Sequence, residues 1–153
     1  MLDPLLLLQD LIRRPSVTPA EEGVLGVLEA ALTSLGFSCE RVRFEGDGSY
    51  PVDNLFATRG EAGKHLLFAG HTDVVPPGDG AAWRHQPFAA EIVDGTIYGR
   101  GAADMKSGIA AFIAAIARAP EAGRISLAIT NDEEADAVNG TDKLMAWATA
   151  EGH

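Results

Sequence analysis

A histidine and an aspartate stand two residues apart where the apolar run "HLLFAGHTDVV" (65–75) becomes polar. In an extended chain, residues two apart point to the same side, so the carboxylate of Asp73 can reach the ring of His71. A carboxylate on one ring nitrogen fixes the tautomer and leaves the other nitrogen free to bind a metal. The alternative is a histidine satisfied by a neighbour at a turn that Asp73 caps, and an isolated H-x-D pair favours that alternative.

A second chemical signal is the acidic stretch "NDEEAD" (131–136), which directly follows the apolar run "ISLAIT". Its carboxylates are those of Asp132, Glu133, Glu134 and Asp136. Carboxylates gathered in a partly buried site repel each other, which raises a pKa unless a cation intervenes. With a divalent ion present, one glutamate would bind the metal while its neighbour takes a proton from the attacking water. A solvated acidic loop explains this stretch, taken alone, equally well.

A third candidate is Asp104, which ends the glycine-rich stretch "GRGAAD" (99–104). Asp104 either caps the helix that follows or offers its two oxygens to two separate cations. The stretch also begins like the G-x-G-x-x-G motif of dinucleotide-binding domains. It lacks the third glycine, and Asp104 would face a pyrophosphate, so a nucleotide-binding domain is a weaker alternative.

These three candidate positions each follow a predicted strand or hairpin, and ligands of open α/β sheets bind at the carboxyl ends of the strands. Together they favour a metal site. One histidine with several carboxylates suits Zn²⁺, Co²⁺ or Mn²⁺, and two metals about 3.5–4 Å apart that share a carboxylate are typical of hydrolases. The remaining histidines lack acidic neighbours of this kind, and we expect His65, His85 and His153 to be structural or exposed.

The elements that must position these residues follow from periodicity and punctuation. The pattern predicts helices that begin after the Asp3 cap, after a capping box of Thr18 and Glu21, in "IAAFIAAIARA", and after a Thr141 cap. It predicts strands near Cys39–Phe44, Asn54–Thr58, His65–Ala69 and in "ISLAIT", with a hairpin at Asp94-Gly95. Strands that alternate with helices indicate one α/β domain built on a layered sheet, with its first part antiparallel.

Composition excludes several classes of function. The chain has 153 residues, is 46% hydrophobic and carries a net charge of −10, so no basic surface for nucleic acid or an anionic membrane is expected. Cys39 is the only cysteine, which fits a reducing compartment. "LLLL" (5–8) is too short for a signal sequence, and no apolar run reaches about 18 residues. We therefore expect a cytoplasmic protein with a small-molecule partner.

The stretches "LLFAGHTDVVPPGD", "DGTIYGRGAADMKSGIAA" and "ISLAITNDEEADAVNGT" resemble the dinuclear zinc hydrolases of the M20 metallopeptidase family. The resemblance runs over essentially the whole chain. It implies a three-layer α/β/α fold around a mixed sheet, of the zinc-aminopeptidase-like type. Within the family, "GRGAADMK" and "DEEADAVNGT" favour the members that remove a succinyl group in diaminopimelate and lysine biosynthesis over acetylornithine deacetylases, aminoacylases and carboxypeptidases.

The resemblance also implies a role for each candidate residue. His71 would bind one zinc ion, Glu134 the other, and Asp104 would bridge the two. Glu133 would be the general base, and Asp73 would orient His71. The implied reaction is hydrolysis of the amide of N-succinyl-LL-2,6-diaminoheptanedioate, with two Zn²⁺ ions per complete site and Co²⁺ as a substitute.

Members of the family carry a further glutamate ligand, a C-terminal histidine ligand and a smaller dimerisation domain after the part that this chain resembles. We therefore expect residues 1–153 to be the N-terminal part of the catalytic domain. Each half-site would be one ligand short of the usual three, with weak metal binding and little or no activity. The complete enzyme is expected to be a homodimer, and an uncovered sheet edge predicts self-association of this chain. A non-catalytic metal-binding module is the alternative.

Overall fold

The computed structural model describes residues 2–119 and 123–153. The helices are α1 (Pro4–Ile12), α2 (Val24–Ser34), α3 (Ser107–Arg118) and α4 (Thr141–Ala150). The strands are β1 (Ser38–Gly46), β2 (Ser49–Arg59), β3 (His65–His71), β4 (Glu91–Val93), β5 (Thr96–Tyr98) and β6 (Arg124–Thr130). Short helical turns occupy Gly80–Ala82 and Ala102–Lys106. Among the described residues, no helix has the length and apolar character needed to cross a membrane.

The main sheet has the strand order β1-β2-β6-β3 and is mixed. Strand β2 pairs antiparallel with both β1 and β6, whereas β3 pairs parallel with β6. The register of the parallel pair places His71 opposite Thr130, so both strands end side by side. The sheet thereby brings the start of "HTD" next to the start of "NDEE". Strands β4 and β5 form a separate hairpin.

Helices cover both faces of this sheet, because the side chains of its central strands alternate between two hydrophobic clusters. The larger cluster includes Leu55 and Leu127 with buried residues of α1, α2 and α3. The smaller cluster packs Phe56 and Ala128 against buried residues of α4. After its first residue, β6 is buried along its whole length, as its continuous apolar sequence predicts. The predicted mixed α/β fold is therefore confirmed.

Two predicted caps were wrong. Helix α2 begins at Val24 after Gly23, and Thr18 does not cap it, because the Thr18 hydroxyl donates to the distant carboxylate of Asp73. Helix α4 has Gly140 at its N-cap, with Thr141 as the first helical residue. The Asp3 cap is confirmed, since its carboxylate accepts from the backbone N–H groups of the first turn of α1. The Asp94-Gly95 hairpin is also confirmed, and both residues have positive φ.

Candidate metal centre

His71, the last residue of β3, is 4% exposed, and carboxylates face both of its ring nitrogens. Nδ1 lies 3.0 Å from the backbone oxygen of Asp73 and 3.4 Å from its Oδ1. Because a carbonyl oxygen only accepts hydrogen bonds, Nδ1 carries the proton in this contact. Nε2 lies 3.1 Å from Oδ1 of Asp104. In the neutral form that binds a metal, His71 therefore directs the lone pair of Nε2 towards the side of Asp104 and away from Asp73.

The carboxylate of Asp73 is fully buried and connects three segments of the chain. It accepts hydrogen bonds from the Thr18 hydroxyl at 2.7 Å and from the backbone N–H groups of Glu133 and Glu134, each at 3.0 Å from Oδ2. Burial raises the pKa of the Asp73 carboxyl, but the contacts with His71 and these donors outweigh burial and hold the pKa below its usual value. Asp73 therefore stays ionised and ties the acidic loop to the end of β3.

Glu133 and Glu134 extend from this anchored backbone towards His71. The three residues offer ligand atoms that all lie within 4.8 Å of one another. Oε2 of Glu133 lies 3.8 Å from Nε2 of His71. Burial raises the pKa of Glu134; the charges of Asp104, Glu133 and Asp73 add to this rise, and His71 opposes it. A divalent cation between these carboxylates would remove the repulsion, and their donor set of imidazole and oxygen suits zinc, cobalt or manganese.

Asp104 comes from the turn between β5 and α3, and its side chain is 77% exposed. Its backbone is extended, with φ −121° and ψ 106°, and it forms a kink with Met105, which is also non-helical, inside the turn Ala102–Lys106. This conformation lets the carboxylate reach Nε2 of His71 while the chain continues into α3. The structure thus brings His71, Asp73, Asp104, Glu133 and Glu134 together. The predicted division of roles, with Asp104 as bridge and Glu133 as base, stays a prediction.

The other histidines have neighbours that agree with a structural role. His65 contacts the Ser126 hydroxyl at 2.8 Å through Nε2. His85 contacts Glu91 at 2.9 Å and stacks on Tyr98. His153 packs against aromatic rings in the smaller hydrophobic cluster.

Sequence reasoning missed Lys106, which is fully buried two residues after Asp104. Its ammonium donates at 2.9 Å to the backbone oxygens of Leu11 and Arg14 and to the hydroxyl of Ser16. Burial lowers the pKa of Lys106 to about 8, although nearby acids oppose this shift. No local pattern reveals this lysine, because its partners lie more than 85 residues away in the chain. It attaches the Asp104 turn to the end of α1.

Comparison with known proteins decides the family. The profile of peptidase family M20/M25/M40 matches residues 67–153, a range that includes the five residues brought together here. The chain belongs to this family. The predicted resemblance to M20 proteins is therefore confirmed.

Individual members of the M20 family agree with this assignment. The chain is 56% identical, over 98% of its length, to succinyl-diaminopimelate desuccinylase of Rhodospirillum centenum, of which it spans 40%. Its fold matches human carnosine dipeptidase 1 with a TM-score of 0.80 and 26% identity, over 95% of this chain and 35% of that one. It also matches an M20 family metallo-carboxypeptidase of Sulfolobus solfataricus with a TM-score of 0.80 and 26% identity, over 99% and 35% of the two chains.

Proposed function

We propose that this chain is part of a zinc-dependent amide hydrolase. The enzyme converts N-succinyl-LL-2,6-diaminoheptanedioate and water to succinate and LL-2,6-diaminoheptanedioate. Residues 1–153 are the N-terminal part of its catalytic domain. The observation that carries the proposal is the convergence of His71, Glu133 and Glu134 within 4.8 Å. It occurs in a chain that is 56% identical to a succinyl-diaminopimelate desuccinylase.

The donors divide between two metal positions. His71 and Asp104 would hold one ion, and Asp104 and Glu134 would hold the other, with Zn²⁺ as the ion and Co²⁺ as a substitute. Zinc held by these donors would supply Lewis acidity towards the amide carbonyl of the substrate. Catalytic zinc usually has three protein ligands, so the remaining donors come from outside residues 1–153. The chain spans 40% of the length of the desuccinylase, so the other part of such a protein can supply these donors.

Glu133 is the general base of the proposed reaction. Its side chain is 56% exposed and reaches to 3.8 Å from His71, so it can meet both the solvent and the reacting atoms. It takes a proton from the attacking water and passes that proton to the departing amine, a role worth about 10²–10⁴ in rate. Asp73 contacts Nδ1 of His71 and thereby orients the ring so that Nε2 faces the other metal-binding carboxylates.

The proposed biological setting rests on the family resemblance, and the name of the relative supports the succinylated substrate. The substrate is a small succinylated amino acid of diaminopimelate and lysine biosynthesis. The complete enzyme is a cytoplasmic homodimer, and neither nucleic acid nor membrane is a partner. The net charge of −10 supports this choice of partners, because it disfavours polyanions.

The metal centre is tested by equilibrium dialysis against a known free zinc concentration, with the bound zinc measured by elemental analysis. We expect the 153-residue chain to bind zinc weakly, and His71→Ala to lose that binding. His65→Ala is the matched control, because His65 contacts Ser126 and lies outside the cluster. Equal zinc in the parent and in His71→Ala would contradict the site. Two tightly held ions per chain would contradict the incomplete ligand set.

The reaction is tested in a chimera in which residues 1–153 replace the matching segment of the Rhodospirillum centenum desuccinylase. We expect turnover of the N-succinyl substrate in preference to N-acetylornithine. Glu133→Ala should reduce turnover by about 10²–10⁴ and keep the metal bound. Glu45→Ala, which removes an exposed acid on β1, is the control. A metal-loaded chimera without turnover, or one in which Glu133→Ala stays active, would contradict the proposal.

A further inference from the structure

The acidic loop (131–136) contains a second buried carboxylate, that of Asp132, which is 1% exposed. Its Oδ1 accepts a hydrogen bond of 2.6 Å from the hydroxyl of Tyr50, and its Oδ2 accepts one of 3.3 Å from the backbone N–H of Asn139. The Tyr50 hydroxyl also accepts a hydrogen bond of 3.0 Å from the backbone N–H of Asp136. One hydroxyl group therefore connects the residue before the glutamate pair with a residue after it.

Tyr50 is also part of a group of hydrogen bonds between strand β2 and Asn139, which follows the acidic loop. The side-chain amide of Asn139 donates to the backbone oxygen of Tyr50 at 2.8 Å. The buried amide of Asn54 donates to the backbone oxygen of Asn139 at 3.0 Å. Burial and the contact with Asp132 raise the pKa of Tyr50 to about 12, so its hydroxyl stays neutral and keeps its proton to donate.

The glutamate pair depends on this support because its own side chains have few contacts. Among residues 2–119 and 123–153, no side-chain hydrogen bond holds the carboxylate of Glu133 or Glu134; Oε2 of Glu133 lies 3.8 Å from Nε2 of His71. Their directions therefore follow from their backbone. Asp73 holds that backbone from the side of β3, and the Tyr50–Asp132 pair holds it from the side of β2.

We propose that Tyr50 is a positioning residue of the metal centre. Its hydroxyl, held between the Asp132 carboxylate and the Asp136 backbone N–H, keeps residues 132–136 in the conformation that directs Glu133 and Glu134 towards His71. The inference rests on the proposed function, because it assumes that these side chains bind metal and act as the base of the reaction. Tyr50 acts through the loop and does not itself contact the ion.

The test compares Tyr50→Phe with Ser49→Ala in the 153-residue chain. Tyr50→Phe removes only the hydroxyl. Ser49→Ala removes a neighbouring hydroxyl that donates to the exposed Asp136 carboxylate at 2.8 Å and does not contact Asp132. Cobalt affinity is measured by visible absorption at a temperature where circular dichroism shows both metal-free variants folded. We expect Tyr50→Phe to weaken cobalt binding by about tenfold or more, the usual effect of removing a group that supports metal ligands. Ser49→Ala should stay within about twofold of the parent.

A metal-independent measurement accompanies the titration. Hydrogen exchange of the Asp136 amide should be faster in Tyr50→Phe, because its acceptor is gone, and unchanged in Ser49→Ala. Equal cobalt affinity in the parent and in Tyr50→Phe would overturn the inference and leave the proposed function standing. Equal losses in both variants would also overturn it, because the hairpin rather than the hydroxyl would then matter. A parent chain that takes up no cobalt would contradict the proposed function as well.

Discussion

At the scale of single residues, His71 contacts the carboxylates of both Asp73 and Asp104. Burial lowers the pKa of His71, but the contacts with Asp73 and Asp104 outweigh burial and raise the pKa to about 9. Without metal, the imidazole is therefore protonated at neutral pH and pairs with both carboxylates. A proton and a metal ion compete for the same nitrogen, so metal binding releases a proton.

The raised pKa of His71 predicts a pH dependence of stability in the chain without metal. The folded pKa of about 9 lies above the ordinary value of 6.5, so the folded state holds the proton more tightly than the unfolded state. The resulting stabilisation is complete below pH 6.5 and is lost as pH rises through 9. Its size is about 3 kcal/mol.

The measurement is urea unfolding in EDTA at about pH 6 and about pH 10, with comparison of the free energies of unfolding. His71→Asn should reduce the difference between the two pH values by most of this amount. His65→Asn should leave the difference as it is in the parent. If His71→Asn and the parent respond to pH alike, His71 is not protonated as the structure implies.

At the scale of elements, the site depends on where three chain segments end or turn. The parallel register of β3 and β6 sets the "HTD" and "NDEE" segments side by side. The turn after β5 carries Asp104 to the same place, and it passes close to the end of β3. Gly101 has φ +78°, and a Cβ there would lie 2.6 Å from Cγ1 of Val74 and 3.3 Å from Cδ of Lys106. Both the backbone and the space therefore require glycine.

Gly101→Ala should consequently destabilise the chain through strain and overlap together. Gly78→Ala is the matched control, because Gly78 has φ +74° and a Cβ there would meet no atom of a non-adjacent described residue within 4 Å. We expect the loss of unfolding free energy at Gly101 to exceed that at Gly78 by about 1–3 kcal/mol, the usual penalty of overpacking. Thermal and urea unfolding measure the difference. Equal losses at the two positions would mean that positive φ, and not the close approach, requires glycine at Gly101.

At the scale of the whole molecule, the two edges of the main sheet differ. Edge strand β1 carries charged side chains such as Arg41 and Arg43, which discourage pairing with another sheet. Edge strand β3 reads "HLLFAGH" and has no acidic, lysine or arginine side chain. Leu66 on β3 is 57% exposed and lines an apolar groove with Phe112 and Ile116. Within the described part of the chain, the outer side of β3 pairs with no strand.

We therefore expect the chain to self-associate through β3. Sedimentation velocity should detect association that increases with protein concentration, and with salt, because salt screens the net charge of −10. Leu66→Lys should weaken it. Leu6→Lys is the control, because Leu6 on α1 is exposed to a similar extent, 60%, but lies away from the sheet edge. A monomer at all concentrations, or an equal effect of both substitutions, would contradict this prediction.

Much of the local structure could be predicted from the sequence, because it depends on short-range patterns. The continuous apolar run of β6, the Asp94-Gly95 hairpin and the Asp3 cap each need only a few neighbouring residues. The Thr18 cap failed for a long-range reason. The buried carboxylate of Asp73, 55 residues away, needs a donor, and it takes the hydroxyl that a helix N-terminus would otherwise use.

The sequence by itself determined which residue types are available for chemistry, the order of the elements, and the family to which the chain belongs. Only the tertiary structure decided which partners hold those residues. Tyr50 meets Asp132 across 82 positions of sequence, and Lys106 meets Leu11 across 95. Periodicity records which face of an element is buried, but a hydrogen bond between distant residues depends on strand register and packing, which form only when the sheet and its helices assemble.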